Sequence, residues 1–355
     1  MSYRNQGNQF GRRILRRFHV VVLFAAVALL AGCNSGGSSP ITSSSSPPAS
    51  SAVTYTSVAG VGELLTYKLN TTNLKYSYTI TRSGYGLQGT SGSGTLTANS
   101  DGTYTPVGMP NVRIIPSPNG MLVGAVKLPI NGTSRIVPIV GFEYLQTGLN
   151  AIQGTYNGVQ LDCRDSTQAD CETAYGTIHL DANGTWVSCS GADYTVDLNC
   201  SGHTKESGTL NYLGGGLWQV MRANGAQDGT LLVFRAPNGQ NVFLEDSSTP
   251  VSAGGTGVGM TIGSTLVSNN QTVAQGAWNY AGETMTGGYA GSFTVSGNSY
   301  SGSMLGGASY GPLSLTFNTP WAGFATSTNG AVALLAGTGV YVAITRSSIE
   351  FGLKH

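Results

Sequence analysis

Asn-Gly and Asp-Gly pairs recur at short intervals through the body of this chain, at 101–102, 119–120, 131–132, 183–184, 224–225, 228–229, 238–239 and 329–330. A two-residue hairpin turn whose twist matches its strands needs positive φ at both central residues, and these pairs tolerate that best. Between them, Tyr76, Tyr78 and Ile80, Ile178 and Leu180, and Leu232 and Phe234 stand at alternate positions, the period of a half-buried strand. No helical period is sustained after the N-terminal apolar run. The expectation is an all-β protein of repeated antiparallel meander units, forming small barrels or sandwiches. Barrel closure removes the exposed edges through which β proteins aggregate.

Internal similarity sharpens this. Ala151-Ile152-Gln153-Gly154-Thr155-Tyr156-Asn157 is echoed by Val273-Ala274-Gln275-Gly276-Ala277-Trp278-Asn279, and each opens a run of about eight strand candidates. A more distant echo links Gly94-Thr95-Leu96 and Asp101-Gly102-Thr103-Tyr104 to Gly176-Thr177-Ile178 and Asn183-Gly184-Thr185-Trp186. Three units are therefore expected: 53–148, a cysteine-bearing 149–248, and 260–355. The stretch 249–259, rich in glycine and carrying Pro250, reads as a linker.

The N-terminus carries an address. Arg12, Arg13, Arg16 and Arg17 precede the apolar run Val20 to Leu30, which is followed by Leu30-Ala31-Gly32-Cys33; charge, then grease, then small residues is the order of an export signal. The run is too short to span a bilayer as a helix. The segment resembles a bacterial lipoprotein signal peptide. That resemblance implies removal of 1–32 and acylation of Cys33, which then holds the protein to a membrane. Asn34, rather than aspartate, follows the cysteine, and the resemblance then implies outer-membrane sorting. Residues 33–52, almost all Ser, Pro and Gly, cannot bury enough to fold and read as a disordered tether. Such a coil spans roughly 20 to 25 Å.

Only 9% of the chain is charged, against roughly 25% in a typical soluble domain. Five of the 17 basic residues leave with the leader, so twelve face 16 acidic ones and the mature net charge is −4. Nucleic acid is not an expected partner. The four remaining cysteines, Cys163, Cys171, Cys189 and Cys200, are an even number in an oxidising compartment and predict two disulfides. Three connectivities exist. The sequential one, Cys163–Cys171 with Cys189–Cys200, is preferred because each pair closes a short local loop or joins neighbouring strands. No C-x2-C pair is present to favour zinc.

Candidate chemistry is sparse. Gly307-Ala308-Ser309-Tyr310-Gly311 matches the G-x-S-x-G elbow of serine esterases, but Pro312-Leu313-Ser314-Leu315-Thr316 alternates like a strand where a helix should begin, and His355 alone follows it among histidines. Gly84-Tyr85-Gly86-Leu87-Gln88-Gly89 has the letters of a dinucleotide fingerprint, yet Ser91-Gly92-Ser93-Gly94 follows instead of a helix. No cofactor is expected. His179 shares a strand face with Thr177 and Asp181, and His203 lies in a polar loop; both read as solvent-facing. Acidic residues gather at Asp162, Asp165, Asp170, Glu172, Asp181, Asp193 and Asp197. Of these, Asp162, Asp165 and Asp170 are the weak calcium candidates, without EF-hand spacing. The cystine loop Asp162 to Glu172 is the most elaborated excursion from the repeat, and recognition tends to sit on such loops. Gly276-Ala277-Trp278 is similar to the G-x-W of lipocalins, a likeness of three residues that carries no ligand site.

The expected function is that of a non-enzymatic, lipid-anchored outer-membrane protein, a binding or structural module with an envelope or host macromolecule as partner. One alternative is a lipocalin-like carrier enclosing an apolar small molecule, which needs inward strand faces that leave a cavity; a further one is a serine esterase using Ser309.

Overall fold

The computed structural model describes residues 52–354, apart from 168–169, 256, 266–269, 285–286, 337–338 and 346–347. The leader, Cys33, nearly all of the Ser/Pro/Gly stretch and His355 lie outside the described residues.

Three antiparallel sheets, each of eight strands, follow one another along the chain. The first contains β1 (Ala52–Ala59), β2 (Glu63–Asn70), β3 (Lys75–Arg82), β4 (Ser91–Ala98), β5 (Tyr104–Pro106), β6 (Ile115–Pro116), β7 (Met121–Ile130) and β8 (Thr133–Phe142). Its order is β5-β4-β3-β2-β1-β8-β7-β6. A bridge between Tyr104 and Ile114, with N–H···O distances of 2.9 and 2.8 Å, draws the two edges together. This is a near-barrel.

A short helix, α1 (Leu149–Ile152), leads into the central barrel. Its strands are β9 (Gly154–Cys163), β10 (Cys171–Leu180), β11 (Thr185–Ser190), β12 (Thr204–Gly214), β13 (Leu217–Arg222), β14 (Gln227–Arg235), β15 (Asn241–Thr249) and β16 (Gly257–Thr265). β16 pairs with both β15 and β9 and closes the cylinder. The stretch 249–259 is therefore not a linker, and the second unit runs to Thr265 rather than 248. Val258, Met260 and Ile262 alternate along this stretch and are fully buried, a strand signal that the surrounding glycines obscure.

A second short helix, α2 (Asn270–Ala274), leads into the third sheet: β17 (Gly276–Thr284), β18 (Gly287–Ser296), β19 (Ser299–Met304), β20 (Ser309–Phe317), β21 (Phe324–Ser327), β22 (Val332–Ala336), β23 (Val340–Ile344) and β24 (Ser348–Lys354). β24 returns to β17, and this barrel is also closed.

Positive φ at both residues of a turn pair is met at one of them, and at 101–102, 119–120, 183–184, 224–225, 238–239 and 329–330 only the glycine has positive φ. Ile130 pairs with Thr133, leaving Asn131 (φ 50) and Gly132 (φ 74) as a two-residue loop with both φ angles positive. Asp228-Gly229 is the exception, since it lies inside β14. A Cβ on Gly229 would sit 2.0 Å from the Asp246 carbonyl oxygen; the glycine there serves close strand approach, and Asp228 is a strand residue. Asn157-Gly158 likewise lies within β9.

The outer faces of the three sheets share one apolar core, to which Val58, Phe142, Val159, Phe234, Phe324 and Phe351 contribute. Phe142 stacks on Phe234 at 5.2 Å across the first junction. At the second, Trp321 donates to Asn157 Oδ1 at 2.9 Å, and Asn157 Nδ2 donates to the Ala322 carbonyl at 2.8 Å.

Candidate functional site

The sequence echo is a structural one. In the central barrel the Tyr156 hydroxyl donates to the carbonyl of Ile152, the last residue of α1. In the C-terminal barrel Trp278 Nε1 donates to the carbonyl of Ala274, the last residue of α2, at 2.8 Å. Ile152 and Ala274 are fully buried, and each helix plugs the same end of its barrel under the same aromatic position.

Above these plugs the barrels differ. The C-terminal interior is filled by rings, with Phe293 lying 6.0 Å from Trp278 and from Tyr280, 5.9 Å from Tyr300 and 5.0 Å from Tyr341. Glu350 accepts from the Tyr289 hydroxyl at 2.7 Å and the Tyr341 hydroxyl at 3.0 Å. Burial raises its pKa above the ordinary carboxyl range, and the two hydroxyls oppose that rise. The residual void is about 20 Å³.

At inward positions of the central barrel stand Gly158, Ala174, Gly176, Ser188, Ser247 and Thr261. These small side chains leave a cavity of about 110 Å³. Its walls are graded. Toward α1 they are apolar, with Tyr156, Leu180, Trp186, Leu231, Val233 and Phe243 in one cluster with Ile152. Toward the opposite end stand Gln160, Glu206, Arg222, Asp228 and Glu245. That end is where the disulfides lie. Cys163 and Cys171 are cross-strand partners of the β9–β10 ladder, and Cys189, itself lining the cavity, is bonded to Cys200. Both bonds follow the sequential pairing.

Charge within this wall is unbalanced. Arg222 Nη1 donates to Glu206 Oε1 at 2.7 Å and Nη2 to Asp228 Oδ1 at 3.1 Å. Asp162 continues the inward phase of Tyr156, Gly158 and Gln160 along β9; burial, then the Asp228 charge, pushes its carboxyl up to about 7. Glu245 is raised well above the ordinary range, first by burial and then by the charges of Asp228 and Asp246. Glu206 is raised by burial, against the pull of Arg222. Glu245 Oε1 has no hydrogen-bond partner among the described residues, and neither does Trp186 Nε1.

The expected site residues fall differently. Asp162 points inward, Asp165 caps its own turn by accepting from Thr167 N–H at 2.9 Å, and Asp170 is exposed. The three do not converge, and no group of three metal-ligating side chains is assembled among the described residues. His179 lies on the outer face beside Asp181, 3.5 Å away, and pairs with Thr155 Oγ1 at 2.9 Å. Ser309 opens strand β20 and is exposed, with a strand after it rather than the helix an elbow requires. Ser83 and Gly84, in the loop with dinucleotide-like letters, fold over the Glu63 carboxylate.

Glu206, Arg222, Asp228 and Glu245 were not legible as a set. For Glu206, Arg222 and Glu245 the signal is phase: Phe243, Glu245 and Ser247 share one face of β15, so a charged residue in step with a buried ring faces the barrel interior; Asp228 is out of step with Leu231 and Val233 and is turned inward where the β13–β14 register shifts.

The chain matches no known family model and no curated protein. Among solved structures it is similar to a protein of unknown function from the DUF3598 family of Nostoc punctiforme, at 9% identity and a TM-score of 0.20, over 86% of this chain and 94% of that one. So slight a likeness transfers no function.

Proposed function

We propose that this chain is a membrane-anchored, non-enzymatic binding protein whose central barrel is a chamber for a small molecule with an apolar body. The observation that carries this reading is the contrast between the two closed barrels. They share strand number, plug and aromatic anchor, yet one is filled by tyrosine and phenylalanine and the other is lined by glycine, alanine and serine around a void. Packed interiors rarely retain voids larger than a water molecule. An engineered apolar cavity of about 150 Å³ takes benzene, and the present one is of that order, with a polar end. Removal of 1–32 and acylation of Cys33, as the lipoprotein resemblance implies, would hold this chamber at the outer membrane by a tether.

The test is titration with indole, followed by the fluorescence of the barrel tryptophans and by calorimetry. We expect saturable binding with one site per chain. Ala174 lines the void, and Ala174→Phe should abolish the binding while leaving the unfolding midpoint near that of the parent. Binding that survives Ala174→Phe would remove the chamber from the account. The anchor is tested separately: Cys33→Ser should move the protein from the membrane fraction to the soluble one.

A further inference from the structure

We propose that the guest of the central chamber is a small organic ammonium ion, its apolar body against the α1-end wall and its charged head among the carboxylates of the opposite end. This rests on the chamber reading above and adds the sign of the guest's charge.

Four carboxyl groups converge on the polar end from four different strands: Asp162 on β9, Glu206 on β12, Asp228 on β14 and Glu245 on β15. Glu172 on β10 acts on Asp162, and Asp246, the neighbour of Glu245 on β15, acts on Glu245 from the other face of the sheet. Against them stands Arg222 on β13, committed to Glu206 and Asp228. The inward neighbours on β11 and β16, Ser188 and Thr261, are uncharged. Carboxyl groups outnumber the single guanidinium here, and like charges brought together out of water cannot all remain ionised, so a second cation would be favoured among them.

Three side chains that line the cavity keep a buried polar atom without a partner among the described residues, and Arg222, through Nε, is one of them. Trp186 lines it at 7% exposure with its indole N–H unbonded, and Glu245 lines it with Oε1 unbonded. A buried polar group without a partner costs stability, and a lining that keeps a free donor toward the α1 end and a free acceptor at the polar end is complementary to a hydrogen-bonding molecule. An ammonium supplies the donors that Glu245 lacks, and the flanking rings of Tyr156, Trp186 and Phe243 suit an apolar body and the fringe of a cation.

A proton accompanies the guest. Burial and the charges of Asp228 and Asp246 favour the protonated form of Glu245, so pairing its carboxylate with an ammonium releases a proton to solvent. Affinity should therefore rise with pH until the carboxyls are ionised in the free protein, by up to tenfold per unit for one proton released.

The experiment compares 2-phenylethylammonium with 2-phenylethanol and phenylacetate on the full chain by calorimetry, in two buffers of different ionisation enthalpy. We expect the ammonium to bind at least about 30-fold tighter than the alcohol, with proton release, and phenylacetate to bind weakest. Glu245→Gln should erase the preference for the ammonium over the alcohol, and Asp228→Asn should reduce it; an unfolding midpoint near that of the parent shows the chamber intact in both variants. Equal binding of alcohol and ammonium, or preference for phenylacetate, would overturn the charge assignment and leave the chamber standing. Failure of all three probes to bind would overturn both.

Discussion

Replacing Trp278 with alanine is expected to lower the unfolding free energy by about 3–5 kcal/mol, the range for removing a fully buried large ring. Trp278 has no exposed surface, stacks within 7° of parallel on Phe293, touches Tyr341 at 6.1 Å, and carries the Lys354 ammonium 6.0 Å above its ring. Its N–H also closes α2 against the barrel through the Ala274 carbonyl. Two contributions can be separated. Trp278→Phe keeps most of the packing and strands that carbonyl, at a further cost of roughly 1–3 kcal/mol for an unsatisfied buried group. Tyr156→Phe makes the corresponding change in the central barrel, where the hydroxyl meets the Ile152 carbonyl and also accepts from Asn241 Nδ2 at 3.2 Å. Urea unfolding followed by near-ultraviolet circular dichroism gives both values. A loss under 1 kcal/mol for Trp278→Ala would mean that the ring is not the anchor of its barrel.

That anchor was visible in the sequence as an echo, and it explains what was legible. Strand alternation and turn pairs are local properties, set by Cβ direction and by residues that tolerate positive φ, so all-β units with hairpins could be read directly. The Ile152–Tyr156 and Ala274–Trp278 pairs could be recognised because a plug-and-anchor contact spans only four residues. Barrel closure is different in kind. It depends on β16 meeting β9 and β24 meeting β17, pairings between distant segments that no local pattern specifies. The 249–259 boundary failed for a related reason, because Gly257 and Gly259 read as loop residues when they allow close strand approach. The carboxylate set was hidden for both reasons at once. Its members lie on four strands, and Asp228 sits in an Asp-Gly pair that imitates a turn. Most of the acidic residues that cluster in sequence between 162 and 197 lie instead on outer faces and loops. Proximity along the chain picks out one acidic group, whereas strand phase, with the register shift at Asp228, picks out the one that lines the cavity.

Folding stability should fall as pH rises from 5 to 8, the reverse of the usual behaviour of a protein held by ionised carboxylates. Glu63 and Asp246 are fully buried where β2 and β15 meet. Glu63 Oε1 accepts from the Ser83 hydroxyl at 2.9 Å and from the Gly84 and Tyr85 N–H groups at 3.0 and 3.3 Å, while Oε2 has no partner among the described residues. Asp246 Oδ1 accepts from Thr230 N–H at 2.7 Å. Burial pushes both carboxyls up to about 7; the Asp246 charge adds to the rise at Glu63, and Arg82 opposes it at Asp246. In the unfolded chain they titrate at their ordinary values of 4.5 and 3.8. Below the unfolded values both states hold the protons and the stabilisation is complete. Between there and about 7 the unfolded chain releases protons that the folded one retains, so stability declines by about 1.4 kcal/mol per pH unit per group, and the decline ends above the folded values. Between pH 5 and pH 8 each group should remove on the order of 2 to 3 kcal/mol. Asp162, raised to about 7 in the chamber wall, acts in the same direction. Glu63→Gln keeps an acceptor for the three donors and cannot ionise, so it should be near neutral at pH 5, stabilising at pH 8, and should flatten the profile; Asp246→Asn should act alike. Urea midpoints of the parent and both variants at the two pH values decide it, and a parent midpoint that rises from pH 5 to pH 8 would show that these carboxyls ionise freely within the fold.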